Sequence, residues 1–432
     1  MPQINPKKNI IFFSIDCRRQ DCYQTFGGIY PSPNIDKLAR KGILFKNMYA
    51  ASASTVMSLS SMINGRYSHD FERYVYPESN PHQFDDNLFS SMQKSGRKNI
   101  LIWQDVYKKN YAHGIYRGND AEVIVVKDHC PPTQAAQYVV DTAKKIEDPY
   151  LIFCHFAPFE PEITKDNPSN PHGFQRELKS DDDAIGILLE NIDLNETTIV
   201  FYSDHGFLKG ERNLISHAFF LLQGVVRVPF IVTADKQEVI SENYSLTQVK
   251  DLIEGKTISS PEYIYADTQY KGQPHRITMA LKGKWKYIAH YSEVTSYFGA
   301  LDELYNLEDD PNEYRNLLND FSRHPLRQDW NQHDLSQFKG CQYFHYNQSY
   351  LNSKTIDLQA KLAAIWVGNL IELLEHIKDH IPGSAELLKM KETLKGLPSP
   401  EQIKMVRHVL IKLAQGHDYV KTGLKRVLNE QY

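Results

Sequence analysis

Short apolar runs that end in polar residues recur through the first half of the chain. Asn9 to Asp16 reads NIIFFSID, Lys98 to Asp105 reads KNILIWQD, and Pro149 to Phe156 reads PYLIFCHF. A fourth run, ETTIVFYSDHG, ends at Gly206. Runs of this length, apolar at successive rather than alternate positions, predict parallel strands covered on both faces. Helical patterns lie between them. SPNIDKLARKGILF is started by Ser32 and Pro33 and stopped by Gly42, and DDDAIGILLENI is amphipathic. Strands and helices alternate to about Val232, which predicts an α/β fold with a mainly parallel sheet flanked by helices.

From about Asp267 the pattern changes. RITMALKGKWKYIAHY alternates around a Lys-Gly turn and predicts an antiparallel hairpin, and DELYNLEDDPNEYRNLL predicts a strand, an acidic turn and a helix. Beyond Thr355, apolar residues at three- and four-residue spacing predict a helix through TIDLQAKLAAIWVGNLIELLEHIKDHI, with further helices from Ser384 and Pro400. The expected divisions are residues 1–265 for the α/β domain, 266–322 for a smaller α+β subdomain, and 323–432 for a helical extension. The apolar stripes of that extension are suited to packing on the catalytic domain or to a homo-oligomer contact.

Composition narrows the function classes. With 432 residues the chain is too long for one ordinary core. A net charge of -4 gives no basis for a nucleic-acid or anionic-membrane partner. The N-terminus carries no long apolar segment of the signal-peptide kind. The longest apolar stretch, AFFLLQGVVRVPFIV, is interrupted by Arg227 and Pro229, so no membrane span is expected. Five cysteines without a close CxxC pair favour a reducing compartment, and the expected location is cytoplasmic.

Two strand ends carry metal-competent groups: Asp16, and the pair Asp204-His205 followed by Gly206, whose missing side chain permits a sharp bend. In open α/β sheets, ligands bind beyond the carboxyl ends of the strands. Two Asp oxygens and a His nitrogen suit a divalent ion, Zn²⁺ or Mn²⁺ before Ca²⁺ or Mg²⁺. The stretch STVMSLSSMINGRY, Ser54 to Tyr67, is rich in hydroxyls and lacks carboxylates. A hydroxyl beside such an ion loses its proton more readily, and a helix N-terminus favours an anion. The combination describes attack on a phosphate or sulfate ester, without singling out one hydroxyl.

The order of motifs does single one out. FFSIDCRRQDCYQTFGGIYPSPNIDKLARKGILFKNMYAASAS, then SDHG with RVPFIV, then KGKWKYIAHY and ELYNLEDDPNEYRNL, resembles the sulfatase family of the alkaline phosphatase superfamily from about Asn9 to Asn319. The resemblance implies an alkaline-phosphatase-like fold and a metal-dependent enzyme. Counted back from Gly65-Arg66-Tyr67, the family's nucleophile position falls on Thr55, where sulfatases carry a Cys or Ser that becomes formylglycine. Met57 stands where Pro is expected and Leu59 where Arg is expected. Threonine cannot give the aldehyde, so Thr55 resembles the direct nucleophile of the phosphate-handling relatives.

By the same resemblance Asp16, Thr55, Asp204 and His205 are expected metal ligands. His217, Arg212 and His155 are expected around the reacting group; His155 stands near Phe159, which replaces a histidine usual in the family. Cys17 fills the place of a second Asp and is expected to be a buried structural thiol, Lys209 a surface lysine, and the serines near Thr55 helix caps or packing. The expected function is a phosphodiester or phosphonate monoester hydrolase or transferase acting on a small-molecule or glycan ester. A sulfatase without formylglycine and a non-catalytic sulfatase-like protein are the alternatives.

Overall fold

The computed structural model describes residues 1–70, 86–104, 121–127, 130–157, 171–209, 211, 215–217, 220–269, 276–290, 302–318, 348–377, 388–389, 391–399, 402 and 405–406. The chain divides into two compact units, Met1–Lys271 and Gly272–Tyr432.

The first unit is built on one sheet. Its strands are β1 (Asn9–Ile15), β2 (Gly42–Tyr49), β3 (Lys98–Gln104), β4 (Ala121–Val126), β5 (Tyr150–Phe156) and β6 (Thr197–Tyr202), followed by a small hairpin of β7 (Leu208–Lys209) and β8 (Ile215–Ser216). Then come β9 (Arg227–Val228), β10 (Phe230–Thr233) and β11 (Glu238–Ser245), while β12 (Ile264–Gln269) lies outside this sheet. The main sheet runs in the order β11-β2-β10-β6-β1-β5-β3-β4. The pairs β6-β1, β1-β5, β5-β3, β3-β4 and β2-β11 are parallel, whereas β10 runs antiparallel to both β6 and β2. The sheet is therefore mainly parallel, with two reversed strands, β10 and the short β9 that pairs antiparallel with β2, that the sequence pattern did not disclose.

Successive apolar residues on β1 serve opposite faces. Ile10 and Phe12 join the layer that holds helices α2 (Thr55–Asn64) and α3 (Leu88–Lys94). Ile11, Phe13 and Ile15 join the other layer, with α1 (Pro33–Ala39), α4 (Pro132–Ala143) and α5 (Pro171–Asn191). Two cores on one sheet explain why the strand runs are apolar throughout.

Three local expectations are corrected. Gly42 does not stop a helix: α1 ends at Ala39, and Gly42 opens β2, where a Cβ would lie 2.1 Å from the Val232 carbonyl oxygen. The α1 N-terminus draws no side-chain cap from Ser32. Asp182 of α5 accepts from the Asn34 and Ile35 amides at 2.8 and 2.9 Å and satisfies those donors instead. In the second unit the hairpin forms as expected, β13 (Arg276–Lys282) against β14 (Trp285–His290), with Gly283 at φ 57° in the turn and β15 (Glu303–Asn306) beside β14. The helix expected over the DPNEYRNL stretch is absent among the described residues. Glu313 is drawn into a buried ion pair with Lys286 at 2.6 Å, and Asn316 accepts from the Leu304 amide at 3.0 Å. Those tertiary bonds replace the ladder that a helix would have formed. The long helix α6 (Gln348–Ile377) covers Gln348 onward, and Gln359 donates to the Tyr287 hydroxyl at 2.9 Å. No helix among the described residues is long and apolar enough to cross a membrane.

Candidate active site at the strand ends

Strand register builds the site. Ser14 pairs with Tyr202 on β6 and with His155 on β5. Two residues beyond Ser14 comes Asp16, and two beyond Tyr202 comes Asp204, so parallel pairing delivers both carboxylates to the same carboxyl end. Asp16 is 5% exposed, and Asp204 and His205 are 0% exposed.

The loop after β6 is held from several directions. The Ser203 hydroxyl accepts from the Arg18 amide at 2.9 Å and donates to the His205 carbonyl at 2.7 Å. The Gly206 amide donates to the Val225 carbonyl at 2.6 Å, and a Cβ on Gly206 would meet the Gly224 carbonyl oxygen at 2.2 Å. Glycine is required there for that close approach rather than for a positive φ. Arg19 grips Asp21 with Nε and Nη2 at 2.8 and 2.6 Å, and the same guanidinium pairs with Glu211, tying the loop after β1 to the loop after β6.

Helix α2 brings the hydroxyl. Ser54 is its N-cap residue and Thr55 its first residue, while Gly65, at φ 65°, closes it. At that end the Arg66 amide donates to the Ser61 carbonyl and the Gly65 amide to the Met62 carbonyl, a left-handed glycine stop. Thr55 Oγ1 lies 3.2 Å from His205 Nε2. The same Nε2 is 3.5 Å from Asp16 Oδ1 and 3.4 Å from Asp204 Oδ2. His205 Nδ1 faces the Gly206 carbonyl at 3.0 Å, which assigns the proton to Nδ1 and the lone pair to Nε2.

Four expected ligands thus converge on one point, and their electrostatics fit a cation. Neither carboxylate oxygen of Asp204 meets a hydrogen-bond donor in good geometry among the described residues. Burial pushes the Asp204 carboxyl well above its ordinary range, with the Asp16 carboxylate adding to the shift. Burial lowers His205, so its imidazole is neutral and serves as a donor of electrons. One ligand atom each from Asp16, Asp204 and His205 lies within 4.8 Å of the others. A divalent ion would replace like-charge repulsion with attraction at this point, and the residues fit one.

His217 packs its ring on His205 with centroids 4.4 Å apart, and its Nδ1 sits 2.9 Å from the Ala53 carbonyl. Burial and the His205 neighbour lower its pKa to about 4. His155 is fully buried, holds Ser14 Oγ with Nδ1 at 2.9 Å, and is pushed down to about 4 by burial. Arg212 and Phe159 lie outside the described residues. Lys209 is half-buried rather than a free surface lysine, with Nζ 2.8 Å from Cys22 Sγ.

Residues 8–254, more than half of the chain, match the sulfatase family. The chain belongs to the sulfatase family. It is a sulfatase-like hydrolase by that membership. The ulvan-active sulfatase of Formosa agariphila is 22% identical over 394 residues, covering 73% of this chain and 76% of that protein. The arylsulfatase of Clostridium perfringens is 29% identical over 91 residues, only 21% of this chain and 19% of that protein. The phosphonate monoester hydrolase of Agrobacterium radiobacter shares the fold, with a TM-score of 0.56 at 14% identity over 76% of this chain and 94% of that one.

Two supporting hydroxyls escaped the sequence reading. Ser58, one turn after Thr55, donates from Oγ to the Asp204 carbonyl at 2.6 Å and pins the hydroxyl-bearing helix to the Asp204 loop. Ser14 sits two residues before Asp16 on the same strand face and bonds His155. The i, i+3 spacing of Thr55 and Ser58 was the signal for the first, since it puts both on one face of a helix.

Proposed function

We propose that the chain cleaves or transfers phosphoesters, either phosphodiesters or phosphonate monoesters, with Thr55 as the nucleophile. The observation that carries this reading is the placement of Thr55 Oγ1 at the first turn of α2, 3.2 Å from His205 Nε2 and beside the two buried carboxylates. Threonine has no route to a formylglycine aldehyde, so its own hydroxyl is the group available for attack. Asp16, Asp204, His205 and Thr55 would hold a divalent ion, which when bound polarises an ester oxygen and lowers the pKa of a neighbouring hydroxyl.

The remaining work falls to the chain itself. The β-branched Thr55 side chain has few χ1 choices, which fixes the direction of its hydroxyl. The unpaired amides of the first turn of α2 face an anionic ester. The Thr55 O–H bond breaks as Oγ1 forms a bond to phosphorus, the ester P–O bond breaks, and the leaving oxygen takes up one proton and departs as the alcohol. Water or an acceptor alcohol then takes the phosphoryl group from Thr55. His217, neutral and with Nδ1 engaged by Ala53, presents an Nε2 lone pair suited to accept a proton in the second step. Arg212 is assigned to the phosphoryl oxygens. His155, fully buried behind Ser14, supports the Asp16 strand end rather than meeting substrate. Substrates of the glycan or small-molecule ester class fit the family.

The names of the ulvan-active sulfatase and the arylsulfatase favour a second reading, a sulfate ester as substrate. One comparison separates the two. A phosphodiester, a phosphonate monoester and a sulfate monoester with the same aryl leaving group are assayed against the metal-loaded protein, its Thr55→Ala variant and its Thr55→Ser variant. The proposal expects a phosphorus ester to have the highest kcat/KM, and Thr55→Ala to lose turnover while unfolding at the wild-type temperature. Preferred turnover of the sulfate ester, or undiminished turnover by Thr55→Ala, overturns it.

A further inference from the structure

Cys22 closes a short 3₁₀ turn, Gln20–Cys22, in the loop after β1, and Lys209 lies on β7 in the loop after β6. Lys209 Nζ stands 2.8 Å from Cys22 Sγ across 187 positions of chain. That separation is ordinary for a nitrogen and an oxygen. Sulfur is the larger atom, so for nitrogen and sulfur it is close, and a hydrogen bond alone does not require it. Cys22 is 5% exposed, and Lys209 is half-buried. Burial lowers the Lys209 ammonium from its ordinary range and raises the Cys22 thiol, which shifts the pair toward neutral amine and neutral thiol.

Among the described cysteines only Cys22 is placed against an amine. Cys17 Sγ faces His205 Nδ1 at 3.8 Å, Cys130 Sγ donates to the Pro131 carbonyl at 3.6 Å, and Cys154 is embedded in the apolar layer with Ile102 and Phe156. The surroundings of Cys22 and Lys209 are already braced. Arg19 binds both Asp21 and Glu211, and the Lys209 amide donates to the Glu211 carboxylate at 2.6 Å. That framework holds the amine and the thiol face to face without either loop moving. One oxygen atom placed between Nζ and Sγ would span the gap, whereas a direct nitrogen–sulfur bond would have to draw the two atoms further together.

We propose that Cys22 and Lys209 are an oxidative modification site, joined under peroxide by a reversible nitrogen–oxygen–sulfur bridge that fastens the loop after β1 to the loop after β6. Two equivalents of hydrogen peroxide supply the oxidation. The first converts the Cys22 thiol to a sulfenic acid and leaves as water. The sulfenic O–H bond and one Lys209 N–H bond then break, an oxygen–nitrogen bond forms, and the second peroxide carries off the two hydrogens as two waters. Sulfur and nitrogen each give up two electrons, and the two peroxides take up four. Two equivalents of a dithiol reverse the change, restoring thiol and amine and releasing one water. The bridge joins the loops that carry Asp16 and the Asp204-His205 pair, yet it depends on no particular substrate.

The test treats the full chain with hydrogen peroxide, blocks remaining thiols, and maps its peptides by mass spectrometry with and without a dithiol. The expected product is a pair of peptides, one holding Cys22 and one holding Lys209, joined at their summed mass plus one oxygen less two hydrogens. The dithiol should separate them, and neither Cys22→Ser nor Lys209→Arg should give the product. Lys209→Arg keeps the cation and the thiol, so it serves as the control should Cys22→Ser fail to fold. Because the bridge closes a long loop of the unfolded chain, the oxidised wild type should unfold ~5 °C or more above Lys209→Arg treated alike. Cys22 found unlinked, as a free thiol or as a sulfinic acid, overturns the proposal. A joined pair lacking the oxygen overturns the bridge chemistry, and a bridge without a rise in Tm overturns its role in fastening the loops.

Discussion

His155 offers a magnitude that can be worked from the structure and checked without any substrate. The side chain is fully buried, and burial lowers its pKa from 6.5 to about 4. Above pH 6.5 the imidazole is neutral in folded and unfolded chains alike, so it adds no pH dependence there. As pH falls below 6.5 the unfolded chain takes up a proton that the folded chain refuses until about pH 4, so stability is lost on acidification. Each pH unit in that window costs about 1.4 kcal/mol, giving about 2 kcal/mol between about pH 7.5 and pH 5. Asp204 acts with the opposite sign. Its carboxyl is raised by burial, so the folded chain binds that proton first and gains stability as pH falls. Replacing His155 with Gln leaves the Asp204 effect in both proteins and removes only the imidazole. Urea unfolding of the metal-free proteins should therefore show a stability difference that changes by about 2 kcal/mol over the window, with the wild type losing more on acidification. Parallel pH profiles for the two proteins would refute the reasoning.

Three other perturbations follow from the geometry. Ser58→Ala leaves the buried Asp204 carbonyl without its 2.6 Å donor, so thermal unfolding should report a loss of about 1–3 kcal/mol, and kcat should fall with it. Asp204→Asn removes a buried like charge: the metal-free variant should be more stable than the metal-free wild type at neutral pH, yet should gain nothing from Zn²⁺. The wild type should gain about 2.7 kcal/mol at a hundredfold excess over Kd, measured by thermal shift. Gly42→Ala drives a methyl to 2.1 Å from the Val232 carbonyl and should cost about 2–3 kcal/mol by separating β2 from β10, read by denaturant unfolding.

How much of this was legible beforehand depended on whether the signal was local. The strands β1, β3, β5 and β6 could be read directly because each is buried on both faces and nearly every residue in it is apolar. β2 escaped because Gly42 carries the ordinary sign of a helix stop, and only the sheet contact at Val232 reveals its real task. The reversal of β10 between β6 and β2 is a pairing decision made across the sheet, and no residue in Phe230–Thr233 encodes it locally. The carboxylates Asp16 and Asp204 were readable because a polar residue ending an apolar run stands out. Thr55 was readable only through the resemblance of the surrounding motifs to the sulfatase family. Ser58 and Ser14 look like ordinary small residues until their partners across 146 and 141 positions of chain are known. The missing helix after β15 failed for a related reason: Glu313 and Asn316 bond residues outside their own segment.

The central claim is that the Thr55 hydroxyl itself becomes bonded to the transferred group. Acid quenching of the zinc-loaded protein during turnover of an aryl phosphodiester, followed by proteolysis and mass spectrometry of the peptide containing Thr55, measures this directly. The account predicts a phosphoryl adduct on Thr55 that is absent without substrate and absent in Thr55→Ala. Turnover with Thr55 unmodified, or with the adduct on another residue, would contradict it.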